Sequence, residues 1–223
     1  MGGVCLNLRE VSRYRTIVLT QGGLCPIMSE MMVGAPKVLD VTLYTIGHSN
    51  HSLDTLIRAL ECHDVMTLVD VRSAPYSRFN PQFSKKNLEG ALPQRGVRYV
   101  YAGKYLGGRP SDPTCYKSQT HPAKGTDYLH EVDYFEVMER PWFVRGIQRL
   151  LQLADEQTTA IMCSEEDPAK CHRHHLIAQY LMAQYPEVDV QHIRGDGTVS
   201  SARLLKVSEN QPQAEQLTLR EGS

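Results

Sequence analysis

Apolar residues between positions 43 and 193 switch back and forth between two spacings, and the switching predicts strands that alternate with helices. Residues 43–46 are a short apolar run that reads as a strand, followed by Gly47-His48-Ser49-Asn50 and a helix capped by Ser52. Leu53, Leu56, Ile57 and Leu60 keep the three-and-four spacing of one buried helix face. Residues 65–71 are apolar apart from Thr67 and Asp70, as in a strand covered on both sides. Ser84 opens a short helix carrying Leu88 and Leu92, and Gly96 leads into a third strand at 97–101. Pro141 starts a helix whose apolar face is Phe143, Ile147, Leu150, Leu151 and Ala154. Residues 159–162 form a fourth strand that ends at Cys163, and Leu176, Ile177, Tyr180 and Leu181 mark the helix after it. Residues 188–193 are the last expected strand, with Gly195-Asp196-Gly197 turning the chain out of it.

This order predicts a single α/β domain over residues 41–205, a mainly parallel sheet with helices on both faces, Rossmann-like or flavodoxin-like. Residues 1–40 are expected to be a poorly ordered extension, with Met28, Met31 and Met32 as alternative starts, and 206–223 a flexible polar tail. Residues 103–140, rich in Gly, Pro, Tyr and His, lack periodicity and read either as a binding loop or lid or as a loosely ordered insertion.

Open parallel sheets bind ligands beyond the carboxyl ends of their strands. The chemistry-bearing residues gather at those ends: Gly47-His48-Ser49, Asp70-Val71-Arg72-Ser73, Leu106-Gly107-Gly108 and Cys163-Ser164-Glu165. Asp167 reads as a helix N-cap with Pro168 at the first helical position, which places Cys171, His172 and Arg173 in the opening turns. Free N–H groups and the helix dipole favour anions and thiolates there. Arg173 shares the helical face of Leu176 and Ile177, so it is expected to reach the cleft floor and, with the dipole, to make Cys163 a thiolate. Glu165, Glu166 and Asp167 oppose that charge. Asp70 and Arg72 point to one face of a strand end, as an ion pair or as part of a site, and Arg72 with Arg78 flanks a Pro-bearing loop suited to a phosphate or carboxylate. A zinc or iron site is the alternative use of the thiols, through Cys163, Cys171 and His175, the last two at i and i+4.

Composition narrows the function classes. Net charge is −1 and charged residues make up 22% of the 223, so no bulk attraction to nucleic acid or acidic lipid exists. Six irregularly spaced cysteines fit reduced cytoplasmic thiols better than a disulfide scaffold. No stretch reaches the roughly 18 to 20 apolar residues of a membrane span.

Thr45-Ile46-Gly47-His48-Ser49, Val69-Asp70-Val71-Arg72-Ser73 with Pro75, Ser77 and Arg78, Leu106-Gly107-Gly108, and Met162-Cys163 with Glu165, Pro168 and Cys171-His172-Arg173 together resemble the DUF488 family. His192-Ile193 with Gly195 or Gly197 is similar to its closing strand, so the resemblance spans about residues 43–198. It implies that His48, Ser49, Asp70, Arg72, Arg78, Cys163, Glu165, Cys171, His172 and Arg173 belong to one pocket, and it implies no reaction. Three functions stay open. One is an enzyme acting on a phosphate-bearing small molecule, a nucleotide or nucleic-acid component. In it Arg72, Arg78, Arg173, Ser49 and Asp70 hold the ligand, His48 or Glu165 moves protons beside Cys171 and His172, and Cys163 is nucleophile or redox thiol. The others are the metal protein and a non-catalytic nucleotide or nucleic-acid-binding module.

Overall fold

The structure, a computed structural model, describes residues 41–123 and 125–204; the expected extension at 1–40 and tail at 206–223 lie outside the described residues. One six-stranded sheet runs in the order β3-β2-β4-β1-β5-β6, built from β1 (Val41–Gly47), β2 (Thr67–Asp70), β3 (Arg98–Tyr101), β4 (Thr159–Cys163), β5 (Val188–Ile193) and β6 (Val199–Ser201). The first five strands are parallel, and β6 pairs antiparallel with β5. The fold is the expected α/β class. Strand β6 is an addition to it: its residues Val199, Ser200 and Ser201 are all exposed, so no apolar pattern announces it.

The strands carry α1 (Leu53–Glu61), α2 (Lys85–Ala91), α6 (Pro141–Glu156) and α7 (Gln179–Gln184). Ser52 caps α1 as expected, its hydroxyl accepting from Thr55 N at 3.1 Å. Alternate residues of each strand feed opposite cores. Leu43, Val69, Ile161 and Val190 pack with Ile147 and Leu150 of α6 and Leu181 of α7. Ile46, Leu68, Ala160 and Met162 pack with Leu56 and Leu60 of α1 and Leu88 of α2. Cys163 continues the Ile161 side and so belongs to the α6–α7 face.

Local structure refines two expectations. Residues 103–140, read as a binding loop or lid or as a loosely ordered insertion, carry short elements of their own. They wind into α3 (Gly103–Leu106), α4 (Tyr128–Glu131) and α5 (Tyr134–Met138), with a bridge between Tyr116 and Val132. Asp127 and Asp133 cap α4 and α5, turns too short to show a period. The helix after β4 also starts later than expected. Asp167 accepts from Ala169 N at 3.0 Å, yet this cap supports only a 3-10 turn, Pro168–Lys170. Cys171 is then extended, and a π-helical turn, Arg173–Ala178, leads into α7.

Register brings the motif ends level. Gly47 lies beside Cys163 and Asp70 beside Met162. Past the strand ends His48 N donates to Cys163 O at 3.0 Å, Val71 N to Met162 O at 3.0 Å and Ala102 N to Asp70 O at 2.9 Å. The four motif loops therefore meet on one edge of the sheet. Gly47 is required there, because a Cβ on it would stand 1.9 Å from the Glu165 carbonyl oxygen. Among the described residues no helix is long and apolar enough to cross a membrane.

Candidate functional site

Cys163 ends β4, and Cys171 with His172 sits where the following helix begins. The three side chains are buried, and their sulfur and nitrogen ligand atoms all lie within 4.8 Å of one another. His172 Nε2 is 3.2 Å from the Val71 carbonyl oxygen, which can only accept, so Nε2 carries the proton. Nδ1 then faces both thiols, with Cys163 Sγ at 3.6 Å and Cys171 Sγ at 3.8 Å. Gly108 backs the ring: a Cβ there would be 2.6 Å from His172 Cγ.

The two thiols share a proton unequally. Its hydrogen bond to Cys171, and then burial, push Cys163 well above an ordinary thiol. The bond from Cys163 holds Cys171 well below, against burial, with His172 and Arg173 helping. These influences favour a thiolate on Cys171, where one was expected on Cys163. Burial raises the phenol of Tyr134, and the two thiols add to the rise.

Arg173 contributes charge rather than contact. Its side chain is 0% exposed, and its terminal nitrogens donate to the carbonyls of Glu165 and Glu166. It pins the turn that carries Glu165, and it does not line the cleft. A buried guanidinium met only by carbonyls favours a negative group nearby, and it lowers both thiols.

Arg72 forks onto Asp70, Nε to Oδ1 at 2.8 Å and Nη2 to Oδ2 at 2.6 Å, and donates to Phe83 O at 2.7 Å and His48 Nε2 at 3.1 Å. Four of its five N–H groups are thus used, and one is left for a ligand. Asp70, fully buried, accepts in addition from Tyr99 Oη at 2.7 Å, so it acts as the ion-pair anchor of Arg72. His48 donates from Nδ1 to Ser49 O at 2.8 Å and stacks on Phe83. Burial lowers its pKa to about 4, so it is a neutral prop for Arg72 and faces no ligand. Ser49 holds the loop in place, its backbone N–H donating to Ser164 O at 2.9 Å, and it does not line the cleft either.

The thiol centre opens on a cleft of about 460 Å³. Of the expected residues, Cys163, Glu165, Cys171, His172 and Arg72 line it; His48, Ser49, Asp70, Arg78 and Arg173 do not. Arg78 is exposed on the loop after Arg72. His175 is not the third metal-ligand candidate: its Nε2 donates to Ala169 O at 2.7 Å, and His172 takes that place beside the thiols. The delayed helix start is the reason, since it rotates the expected i, i+4 pair apart.

Ser73, named in the strand-two motif, lines the cleft, and sequence reasoning missed Arg109, Tyr128, Tyr134 and Lys170 on its wall. Arg109 N donates to Ser73 Oγ at 2.9 Å and its guanidinium lies 4.4 Å from the centre of the Tyr128 ring. Arg109 directly follows Gly107-Gly108, a usable signal; Tyr134 and Lys170 carried none. Also missed was a buried chain beside the site. Gln179 Nε2 lies 3.2 Å from His174 Nε2, His174 Nδ1 is 3.1 Å from His192 Nε2, and His192 Nδ1 is 2.7 Å from Thr45 Oγ1.

Comparison with curated proteins and with solved structures found no match to either. A family model described as a domain of unknown function, DUF488, matches residues 52–181. That span holds the Asp70–Arg78, Gly107-Gly108 and Cys163–Arg173 motifs and stops short of His48 and of β5, which the resemblance had included. With both thiols, His172 and the lining Arg72 inside the matched span, the chain belongs to the DUF488 family.

Proposed function

We propose that this chain is a cytoplasmic enzyme that holds a phosphate-bearing small molecule, a nucleotide or nucleic-acid component, in the cleft and acts on it with the Cys163–Cys171 pair. The observation that carries the reading is a buried pair of cysteines opening on a wall that presents Arg109, Lys170 and the last free N–H of Arg72. Cys171 is the nucleophile or redox thiol, and Cys163 holds the shared proton. Glu165, which lines the cleft, moves the protons, a role for which His48 has no free atom. The acids Glu165 and Asp127 limit the cleft's net positive charge, so phosphate recognition rests on directed contacts. Cys62, Cys115, Cys163 and Cys171 are free thiols, in keeping with a reducing compartment.

Alkylation with peptide mapping tests this on metal-free protein near neutral pH. Cys171 should react faster than the exposed Cys62, and nucleoside monophosphates should slow it. Cys62 reacting first, with no protection by any nucleotide or sugar phosphate, would sink the reading.

One observation favours a second reading, a metal bound by Cys163, Cys171 and His172. Tetrahedral zinc, with Zn–S of about 2.3 Å and Zn–N of about 2.0–2.1 Å, places sulfur and nitrogen about 3.6 Å apart. The observed separations are 3.6 and 3.8 Å. A ligating histidine whose other nitrogen donates to a backbone carbonyl is the usual second half of such a site. Elemental analysis of chelator-free protein separates the two: stoichiometric zinc or iron, lost together with slow alkylation on chelation, would assign the thiols to the metal.

A further inference from the structure

Two of the most exposed large apolar side chains among the described residues stand on one loop at the cleft mouth. Tyr76 is 74% exposed and Phe79 88%, with the exposed Arg78 beside Phe79. The loop follows Arg72 and is tethered rather than loose. Tyr101 Oη donates to Ser73 O at 3.2 Å, Lys85 N to Pro75 O at 2.8 Å and Asn80 N to Ser77 Oγ at 2.9 Å. The aromatics are thus held out in water, at a cost that burial would ordinarily remove. Tyr76 also lines the cleft, as does Tyr128, whose ring carries the guanidinium of Arg109 on its face. Arg78 and Phe79 lie beyond the cleft lining.

We infer that the loop is a stacking platform for single-stranded nucleic acid and that the cleft receives one nucleotide of a longer strand. The inference rests on the cleft being a phosphate site, and it adds that the ligand is a polymer. Exposed rings that alternate with cations suit bases and phosphates, because every base offers a flat face and every linkage a charge. A mononucleotide in the cleft reaches Tyr76 but leaves Arg78 and Phe79 uncovered, whereas a strand leaving the cleft covers both. At a net charge of −1 the chain as a whole does not attract a polyanion, so the attraction has to come from the cations of this loop and cleft.

Fluorescence anisotropy with short labelled oligothymidylate and oligouridylate, competed by the corresponding nucleoside monophosphates, tests it on the full chain. The oligonucleotide should bind tighter than the monophosphate, and Phe79→Ala should weaken it by roughly five-fold to a hundred-fold. Phe79→Trp should restore binding and Phe79→Leu should not, because stacking needs a ring. Arg78→Ala should lower the salt dependence by about one phosphate contact. Oligonucleotide binding no tighter than that of the monophosphate, or unchanged by Phe79→Ala, overturns the inference. So does a loop that Phe79→Leu leaves fully competent and that binds vesicles of phosphatidylserine in phosphatidylcholine, which would make it a membrane contact. Monophosphates that still slow Cys171 alkylation in those cases leave the cleft reading standing; absence of that protection, whatever the oligonucleotide does, sinks the cleft reading itself.

Discussion

Gly108→Ala should destabilise the fold and disturb the thiol centre in one step. A Cβ on Gly108 would lie 2.6 Å from His172 Cγ, 2.8 Å from Nδ1 and 2.9 Å from its Cβ. Ordinary carbon contacts need about 3.5 to 4.0 Å, so the ring must back away by about 1 Å. That ring is held by one 3.2 Å hydrogen bond to Val71 O and faces sulfurs at 3.6 and 3.8 Å, and such a shift breaks the first and unbalances the second. Overpacking costs about 1–3 kcal/mol and the hydrogen bond about 0.5–1.5, while the stiffer unfolded chain returns about 0.4–1. The net loss is about 2 kcal/mol, within a range of roughly 0.5 to 4. Urea unfolding reads the stability, and ultraviolet absorbance of the thiolate reads the centre, where the titration of Cys171 should move upward as Nδ1 leaves it. Gly90→Ala is the control. It lies in α2 with nothing within 4 Å of its Cβ, and it should gain up to about 1 kcal/mol from helix propensity. A Gly108→Ala protein as stable as the parent, with an unshifted thiolate titration, would refute the claim that this glycine sets the His172 ring.

The other predictions concern charge. Burial lowers His48, His174 and His192 from 6.5 to about 4, so between those values the unfolded chain binds more protons than the folded one. Stability is therefore full above about pH 6.5 and falls as the pH drops toward 4, by at most about 3 kcal/mol per histidine; a melting temperature flat from about pH 7 to 5 would contradict this. Asp70→Asn leaves the Arg72 guanidinium buried without its carboxylate and should cost about 3–5 kcal/mol in urea unfolding, whereas joint replacement of Asp70 and Arg72 by apolar residues should cost less. Glu166→Gln removes the partly exposed 2.9 Å pair with Arg194 and should cost under about 1 kcal/mol; a much larger loss would show that this pair anchors the Glu165 turn.

The spacing of Leu56, Ile57 and Leu60, the Ser52 cap and the apolar runs of the first five strands made the α/β architecture legible, because each signal acts within one turn or pleat. The strand-end motifs marked the right edge of the sheet for the same reason, since parallel pairing carries every strand's carboxyl end to one side. What each motif residue does there was written less plainly. Asp167 and Pro168 formed the expected cap, yet only in the folded chain does the turn stop at Lys170 and restart at Arg173, which exchanges His175 for His172 at the thiols. Arg173 faces inward as its period required, but the carbonyls of Glu165 and Glu166 claim its two terminal nitrogens before any ligand can. The order of the two thiols likewise follows from their contact with each other, across eight residues of chain and inside one buried space. Periodicity and capping are local energies and can be read along the chain. The assignment of a proton, a guanidinium or an imidazole depends on which polar atom lies within about 3 Å once the strands have paired, a distance no linear spacing contains.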